Sequence, residues 1–286
     1  MTHFYNKLTK RTRIFRSLTG ISVENFDLIF KKVTKSWQRQ VIKQYKRPGR
    51  HYKLHLVDML IMMLVYYRSY TSQLQMGLMF GLDESRVCRI IKRLEPMVAR
   101  IVAIKKDRTL SYDDVKAMIL DVTEQPVERP SHKQRDYYSG EKRHHTLKTE
   151  LRIKDDGEIC YVSKCHGGRT HDFKMYKQSE PLPRGVRIYA DAGYQGLRKL
   201  CKSAATPYKK RRKRPLTERQ KQYNYILRRL RIKVEHTFAK VKKFRILSDK
   251  YRNKLVGHNL KFNVIAGLVN MNNGFYNDSF TNLETT

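Results

Sequence analysis

The sequence predicts an α/β fold in which a mixed sheet flanked by helices is preceded by an all-α domain. From residue 117 onward, the patterns follow in the order strand, hairpin, helix, strand, helix, which is typical of such a sheet. Before residue 105, apolar residues recur at helical spacing instead. A chain of 286 residues is long enough for one small and one medium domain. We therefore expect a helical domain over 1–104, a sheet domain over 105–275 and a polar tail over 276–286.

The charge of the chain indicates a polyanionic partner. Lys and Arg number 61 against 26 Asp and Glu, so the formal net charge is +35. An excess of this size destabilises a compact chain through self-repulsion, which an anionic partner would relieve. Nucleic acid is the default partner. A membrane surface is the rival, but no stretch is apolar for long enough to span a bilayer.

Two observations bear on the cellular compartment. The amino-terminal stretch, MTHFYNKLTKRTRIF, lacks the apolar core of a secretory signal. The four cysteines are scattered and form no CxxC pair: Cys88, Cys160, Cys165 and Cys201. This usage argues against a disulfide framework and a structural zinc site and fits a reducing cytoplasm. We expect a cytoplasmic protein that is associated with the nucleoid when it is bound to DNA.

The amino-terminal region is predicted to be a small helical bundle. Helical periodicity over 1–45 is followed by KRPGR at 46–50, a loop signal because proline and glycine both break helices. The apolar run LHLVDMLIMMLVYY at 54–67 is too short and too interrupted to cross a membrane. It predicts a buried helix of the bundle.

The segment from Gln73 to Lys92 fits a helix-turn-helix. Met76 and Phe80 give the first helix an apolar face, and Gly77 is small enough for the two helices to approach each other. Gly81 makes the turn between them. Five residues of the second helix would face a major groove or phosphates: Ser85, Arg86, Arg89, Lys92 and Arg93. The alternative is a helical hairpin that binds nothing, but the glycine pair and the basic outer face favour DNA.

The sheet domain begins with a strand and a hairpin. The run AMILD at 117–121 predicts a short strand that ends on Asp121, with the turn residues 123–126 directly after it. The runs 147–154 and 159–165 alternate apolar and polar residues around an Asp-Asp-Gly turn, which predicts a hairpin. A helix is expected from about Asp172.

The stretch VRIYADAGYQG at 186–196 predicts the next strand and the loop after it. Apolar and polar residues alternate up to Ala190, and the strand ends on Asp191 in a loop kept small by glycine. An acid at that place is a common position for a catalytic group in α/β folds. The alternative is that Asp191 only caps a helix that begins near Leu197.

The remaining chain carries a basic run and two predicted helices. The six residues 209–214 are all basic and are predicted to meet phosphate, because nearby acids do not balance them. A long helix is expected over 217–244. A helix over 260–271 is expected to provide packing, and the tail after it is expected to be polar and mobile.

Two stripes run along the predicted long helix. The apolar stripe comprises Leu227, Leu230, Val234 and Val241. The adjacent stripe comprises Arg228, Arg231, Glu235 and Lys242. Glu235 is thus an acid among cations, and the plain interpretation is an ion pair with Arg231 one turn before it.

Three acids could form a metal site. If the strands that carry Asp121 and Asp191 are neighbours, their carboxylates meet at one end of the sheet, and the long helix can bring Glu235 to the same place. Carboxylates that close repel each other unless hard cations such as Mg²⁺ or Mn²⁺ neutralise them. Two such ions about 4 Å apart are a known device for in-line attack on a phosphodiester.

Five segments resemble the DDE transposases of bacterial insertion sequences, in the insertion-sequence-five-like branch related to the Harbinger transposases of eukaryotes. They are ILDVTEQPVERP at 119–130, YYSGEKRHHTLKTEL at 137–151, GGRTHDFKMYK at 167–177, YADAGYQGL at 189–197 and RIKVEHTFAKVKKF at 231–244. No single segment is specific, but together they are. The resemblance covers most of the chain, from the helix-turn-helix to the last helix.

The resemblance implies a ribonuclease-H-like core in which Asp121, Asp191 and Glu235 are catalytic and bind two Mg²⁺ or Mn²⁺ ions. The family motif also has an Arg four residues before the glutamate and a Lys seven after it, which Arg231 and Lys242 match. The motif's Tyr falls where this chain has an arginine at position 228. The adjacent His171 and Asp172 match a motif to which no role is assigned: His171 and Asp172 could be structural or catalytic.

The activity implied is that of a transposase, which binds the terminal inverted repeats of its element, cuts the DNA and joins 3′-hydroxyl ends to target DNA. A homo-oligomer on double-stranded DNA is expected, because transposition must bring two ends together. The residues expected to contact DNA are Arg86, Arg89, Lys92, Arg93, Lys209, Lys210, Arg211, Arg212, Arg231 and Lys242. Two alternatives stay open: a domesticated, non-cutting DNA-binding protein derived from a transposase, and a plain metal-dependent nuclease.

Overall fold

The structure of the chain is a computed structural model. The residues that it describes are 3–42, 52–104, 115, 117–183, 185–210 and 215–277. The loop predicted at 46–50 lies outside the described residues, as do Arg211 and Arg212 of the basic run. The chain divides into two compact units. The first comprises 1–103, 241–249 and 254–286, and the second comprises 104–240 and 250–253.

The described residues of the amino-terminal part form helices and the short segments that join them. The helices are α1 (His3–Thr9), α2 (Thr12–Thr19), α3 (Val23–Trp37), α4 (Leu56–Ser69), α5 (Gln73–Phe80) and α6 (Glu84–Ile101), with a π-helical turn at Gln38–Ile42. The remaining elements, in order, are β1 (Ala117–Pro126), α7 (Gln134–Tyr137), β2 (Tyr138–Ser139), β3 (His144–Lys154), β4 (Ile159–Val162), β5 (His166–Gly167), α8 (Asp172–Gln178), β6 (Arg187–Ala190), α9 (Leu197–Leu200), β7 (Ala204–Ala205), α10 (Glu218–Lys242) and α11 (His258–Asn272).

Helix α4 forms the centre of the first unit. Every residue from Val57 to Tyr67 is buried, because other helices of the bundle, among them α2, α5 and α6, pack around it. This confirms the buried helix predicted from the apolar run at 54–67. In α3 the buried residues include Phe26, Ile29 and Val33, at helical spacing. Among the residues that the structure describes, no helix is long and apolar enough to cross a membrane.

Helix α11 also belongs to the first unit. It packs against α6, where Lys261 forms an ion pair with Glu95 at 2.8 Å. The predicted mobile tail from Asn272 is not seen at 273–277: the Tyr276 hydroxyl donates to Asn25 Oδ1 at 2.9 Å, and Asn277 donates to the Ile101 carbonyl at 2.9 Å. The rest of the predicted tail lies outside the described residues. The sequence-based domains place α11 with the sheet instead, and their boundaries stay a prediction.

A mixed sheet forms the second unit. Its strand order is β2-β3-β1-β6-β7, with β4 and β5 also paired to β3. Strand β1 pairs antiparallel with β3 and parallel with β6, and β6 pairs parallel with β7. The predicted hairpin is present as β3 and β4, with Gly157 at φ +101° in its turn. This confirms the predicted fold class: a helical amino-terminal region is followed in the chain by a mixed sheet flanked by helices.

The first strand is longer than predicted. It does not end on Asp121 but continues to Pro126, so residues 123–126 are strand and not turn. The reason is non-local: β3 pairs with β1 up to the end of β1, from Lys154 opposite Met118 to Thr146 opposite Pro126. The polar residues of this extension find partners in the sheet, since the Thr146 hydroxyl donates to the Glu124 carboxylate.

Candidate catalytic and DNA-binding sites

Asp121 and Asp191 lie on neighbouring parallel strands. The pairing of β1 with β6 ends at Leu120 opposite Ala190, so the two aspartates are the next residue on each strand. Strand β6 stops there, as predicted, and Asp191 follows it directly. Asp121 lies inside β1, yet it is the first residue beyond the pairing with β6. The predicted meeting of these two carboxylates at one end of a strand pair is therefore present.

The side chain of Asp191 also has a structural role. Its Oδ1 accepts a hydrogen bond of 2.7 Å from the Gly193 N–H and caps the 3₁₀ turn Ala192–Tyr194. Helix α9 begins at Leu197 as predicted, but Gly196 is its N-cap. The alternative, in which Asp191 only caps the helix near Leu197, is therefore wrong, although Asp191 does cap the 3₁₀ turn before it. One hydrogen bond leaves a carboxylate further lone pairs for other ligands.

Asp121 lies in an environment that disfavours a second negative charge. Burial raises the pKa of Asp121 to about 6, and the nearby charge of Asp191 adds to this effect while the guanidinium of Arg231 opposes it. Arg231 Nη2 donates to Asp121 Oδ2 at 3.1 Å, and the Val122 N–H donates to Oδ1 at 2.9 Å. A further cation at this point would stabilise the ionised pair of carboxylates.

Helix α10 buries the predicted apolar stripe at three of its four positions. Leu227, Val234 and Val241 are buried as expected, but Leu230 is 40% exposed. The neighbouring Arg231 is partly buried, and its guanidinium pairs with Asp121. The Nε of Arg231 is buried and has no hydrogen-bond partner among the described residues. This donor is therefore unsatisfied but not accessible to solvent.

Glu235 is exposed on α10, one turn after Arg231. The plain interpretation of Glu235 is wrong, because Arg231 pairs with Asp121 and not with the glutamate. Within the described residues, no group of three His, Cys, Asp or Glu side chains could hold a metal ion. The structure thus brings together Asp121, Asp191 and Arg231 but not Glu235. Lys242 is the exposed last residue of α10 and belongs to the other compact unit.

Asp172, to which the sequence assigns no role, lies beside Asp191. A methyl group built on Gly193 would lie 2.4 Å from Asp172 Oδ2 and 3.0 Å from Asp191 Oδ1, so both carboxylates border this glycine. Lys148 Nζ pairs with Asp172 Oδ1 at 3.0 Å. His171 caps α8, since its Nδ1 accepts from the Phe173 N–H at 3.3 Å. The sequence signal was present in the GGRTHDFKMYK segment, but its spacing could not show the contact with Gly193.

Glu150 supports the same loop from the sheet, and sequence reasoning missed it. Its side chain is fully buried on β3, where it accepts from Arg152 Nε at 2.9 Å and from the Tyr194 hydroxyl at 3.0 Å. The pKa of Glu150 is raised overall because the side chain is buried, although the positive charge of Arg152 opposes this effect. Tyr194 is the last residue of the turn that Asp191 caps. An acid inside the alternating strand TELRIK was the available signal.

The helix-turn-helix is formed by α5 and α6. Gly81 ends α5 at φ +64°, a left-handed conformation that glycine adopts without strain. The Leu82 N–H donates to the Gly77 carbonyl at 2.8 Å, and a β-carbon on Gly77 would lie 2.5 Å from the Leu82 oxygen. Val87 is fully buried in α6. Phe80 is only half-buried. Its ring and the ring of Phe4 meet edge to face, with their centroids 5.9 Å apart.

Cations line one surface of α6. Arg89, Lys92 and Arg93 are exposed, and Arg86 is partly exposed in an ion pair with Asp83 at 2.9 Å. A groove of about 820 Å³ beside the helix is lined by all four of these residues together with Tyr52 and Lys53. This is the arrangement predicted for the second helix. In the second unit, the predicted contacts Lys209 and Lys210 are also exposed.

Two family models match the chain. Residues 120–270 match the model described as DDE superfamily endonuclease, and residues 52–102 match the helix-turn-helix of DDE superfamily endonuclease. The chain belongs to the DDE superfamily of endonucleases. Its helix-turn-helix is confirmed, and both domains of this DDE endonuclease indicate binding to DNA. Asp121, Asp191, Arg231 and Glu235 all lie inside the first match.

Two curated relatives of this DDE endonuclease carry transposase names. The chain is 38% identical over 266 residues to the "Probable transposase for insertion sequence element IS702" of Microchaete diplosiphon, with 90% of this chain and 94% of the relative covered. It is 26% identical over 210 residues to the "Putative transposase for insertion sequence element IS112" of Streptomyces albus G, with 71% and 75% covered. No solved structure matches. The narrower branch inferred from the sequence stays a prediction.

Proposed function

We propose that this DDE endonuclease is the transposase of an insertion sequence. It binds the terminal inverted repeats of its element, cuts the DNA and joins the 3′-hydroxyl ends to target DNA by two-metal phosphoryl transfer. The observation that carries the proposal is the pair Asp121 and Asp191 on neighbouring parallel strands, inside the family match and beside Arg231. The names of the two relatives support the same activity.

The donor set of the site fits hard divalent cations. Its acids offer carboxylate oxygens, the ligands that Mg²⁺ and Mn²⁺ prefer. The raised pKa of Asp121 and the proximity of Asp191 mean that a bound cation would relieve an unfavourable charge. Asp121 and Asp191 would hold the ions, and Glu235 would complete one of the two sites. When bound, the ions supply an activated attacking oxygen and stabilise the leaving oxygen.

The basic residues would hold the DNA. Arg231 keeps Asp121 paired in the free protein, and its guanidinium would also contact a phosphate oxygen near the bond to be cut. Lys242 would contact the DNA further along α10. The four cations of α6 would recognise or hold the element ends, and the basic run from Lys209 to Arg212 would contact the backbone. We also propose a homo-oligomer on DNA, because two ends must react together, and a cytoplasmic, nucleoid-associated location.

The first test is nicking of supercoiled plasmid with Mg²⁺ or Mn²⁺, with EDTA as the metal-free control. Asp121→Asn, Asp191→Asn and Glu235→Gln should each abolish nicking while DNA binding is retained. Glu141→Gln is the matched control, because Glu141 is an exposed acid whose side chain is 79% accessible. Full nicking by Asp191→Asn protein, or no nicking by folded, DNA-binding wild type, would overturn the catalytic assignment.

A second test separates a transposase from a plain nuclease. Labelled duplexes with free 3′-hydroxyl ends are incubated with supercoiled plasmid and the protein. Covalent joining of label to plasmid, lost when the 3′ ends are dideoxy, is expected of a transposase. The decisive labelled duplexes carry the terminal sequences of the element itself. If the protein nicks DNA but joins none of these ends to the plasmid, the strand-transfer part of the proposal is contradicted.

A further inference from the structure

The second unit contains a cavity of about 540 Å³ with basic residues in its lining. The first lining residue in the sequence is Gln195, four residues after Asp191. The polar and charged side chains that line it include Gln195, Arg198, Lys199, Tyr208, Lys209 and Gln220. None of the described residues that line it is Asp or Glu. Neither the family matches nor the proposed catalytic residues assign a role to this cavity.

Two residues that line the cavity, Tyr208 and Arg198, pack against each other and against Tyr223. The rings of Tyr208 and Tyr223 meet edge to face, with centroids 5.2 Å apart. The Arg198 guanidinium carbon lies 5.9 Å from the Tyr208 centroid and 5.7 Å from the Tyr223 centroid. Tyr208 is 42% exposed, so part of its ring surface is accessible.

This part of the cavity lining is held in place by hydrogen bonds. The Tyr208 N–H donates to Asn224 Oδ1 at 2.9 Å, and Asn224 Nδ2 donates back to the Tyr208 carbonyl at 3.0 Å. Gln195 Nε2 donates to the Pro207 carbonyl at 3.0 Å. Arg198 Nε is bonded to the Ala204 carbonyl at 3.2 Å. The aromatic surface is therefore preorganised before any ligand arrives, which lowers the entropy cost of binding.

We propose that this cavity binds an unpaired nucleotide of single-stranded DNA, with its base stacked on Tyr208 and its phosphate held by Lys199 and Lys209. Proteins that bind single strands combine a cationic groove with exposed aromatic rings, because every base has a face that stacks. A cavity of this volume has the size of a small-ligand site and accommodates a nucleotide but not a duplex. The inference rests on the proposed function in one respect: cutting beside Asp191 would supply the unpaired strand.

The test compares single-stranded and duplex DNA of equal length in EDTA. Fluorescence anisotropy at one fixed salt concentration measures the affinity of full-length wild type, Tyr208→Ala, Tyr208→Phe and Tyr225→Ala. Tyr225 is the matched control, a tyrosine of α10 that is 62% exposed and outside the cavity lining. Tyr208→Ala should weaken single-strand binding about tenfold, as expected for one lost stacking contact. Duplex binding should stay within about twofold, and Tyr208→Phe and Tyr225→Ala should behave like wild type.

A second readout locates the base. A single strand carrying 5-iodouracil is cross-linked by ultraviolet light, and the modified peptide is identified by mass spectrometry. Cross-linking at Tyr208 supports the proposal. An equal loss of single-strand and duplex affinity in Tyr208→Ala, or no loss at all, would overturn it and leave a phosphate-binding surface. Binding in EDTA does not require cutting, so failure here leaves the nicking experiment as an independent test of the proposed function.

Discussion

At the scale of single residues, Gly193 borders two carboxylates of the candidate site. A methyl group added there would lie 2.4 Å from Asp172 Oδ2 and 3.0 Å from Asp191 Oδ1, so at least the Asp172 carboxylate must move to admit it. We expect Gly193→Ala to displace one or both carboxylates and to reduce the rate of plasmid nicking about 100-fold, the effect of a displacement near 1 Å at a reacting centre.

Gly140→Ala is the matched control for this prediction. A β-carbon on Gly140 meets nothing within 4 Å, so nicking should be unchanged. The initial rate of nicking and the thermal unfolding midpoint are measured for both variants. If Gly193→Ala protein is folded and nicks at the wild-type rate, the position of the two carboxylates beside this glycine has no catalytic importance.

His258 should make the stability of the protein depend on pH. It is 1% exposed at the start of α11, and burial lowers the pKa of His258 to about 4 from 6.5, with the positive charge of Lys261 adding to the effect. Lys261 is itself paired with Glu95. Between these two pH values the unfolded chain binds the proton and the folded chain does not. The contribution of His258 to the free energy of unfolding is therefore fully present above pH 6.5. It decreases by about 3 kcal/mol as the pH falls to 4.

The measurement for His258 is urea unfolding at several pH values across this window. Other groups also titrate there, so the comparison of wild type with His258→Gln isolates the histidine. The variant should lose less stability on acidification than wild type does. An identical loss in both proteins would show that the histidine does not contribute.

At the scale of elements, the contact between α5 and α6 gives a prediction whose sign opposes helix propensity. Alanine is the better helix former, and by propensity alone Gly77→Ala would stabilise α5 by about 1 kcal/mol. The structure predicts the reverse, because the new β-carbon would lie 2.5 Å from the backbone oxygen of Leu82. We expect a loss of about 1–3 kcal/mol in unfolding free energy. Leu78→Ala, at a 79% exposed position of the same helix, should change it by less than about 0.5 kcal/mol.

The elements that sequence could predict are those specified by local patterns. The register of the helix-turn-helix, the Asp-Asp-Gly hairpin and the strand before Asp191 all depend on periodicity and turn residues within a few positions. The end of β1 does not: the strand continues past Asp121 because β3 pairs beside it. The local pattern after Asp121 contains turn-forming residues and gives no sign of that partner.

The candidate site shows the same limit. Two of its acids could be placed together from strand ends, because neighbouring parallel strands align their carboxyl ends. The inward position of Arg231 could not be predicted, since it depends on an ion pair with a residue 110 positions earlier in the chain. Periodicity places Leu230 on the apolar stripe and Arg231 on the adjacent charged one. The structure leaves Leu230 40% exposed and Arg231 partly buried in its pair with Asp121, while the rest of the apolar stripe is buried as predicted.

At the scale of the whole molecule, several of the few acidic residues lie around one loop, whereas many cationic residues are exposed elsewhere in the chain. Only 26 of 286 residues are Asp or Glu in a chain of net charge +35. Four of these acids lie around the loop after β6, and each has a donor or cation beside it: Asp121, Glu150, Asp172 and Asp191. The exposed cations of α6 and of the segment at 209–210 lie apart from them in sequence.

The net charge predicts that salt acts on folding and on binding with opposite signs. Screening weakens the self-repulsion of a +35 chain, so the unfolding midpoint of the free protein should rise from about 0.05 M to 0.5 M NaCl. DNA affinity should fall over the same range, with a slope of log K against log salt near −0.9 for each phosphate contacted. Replacing both Arg86 and Arg89 with Gln should reduce the magnitude of that slope by about 2 if each arginine contacts one phosphate. Lys7→Gln on α1 is the control for lost charge, and a slope reduced equally by that single exposed change would contradict a specific role for α6.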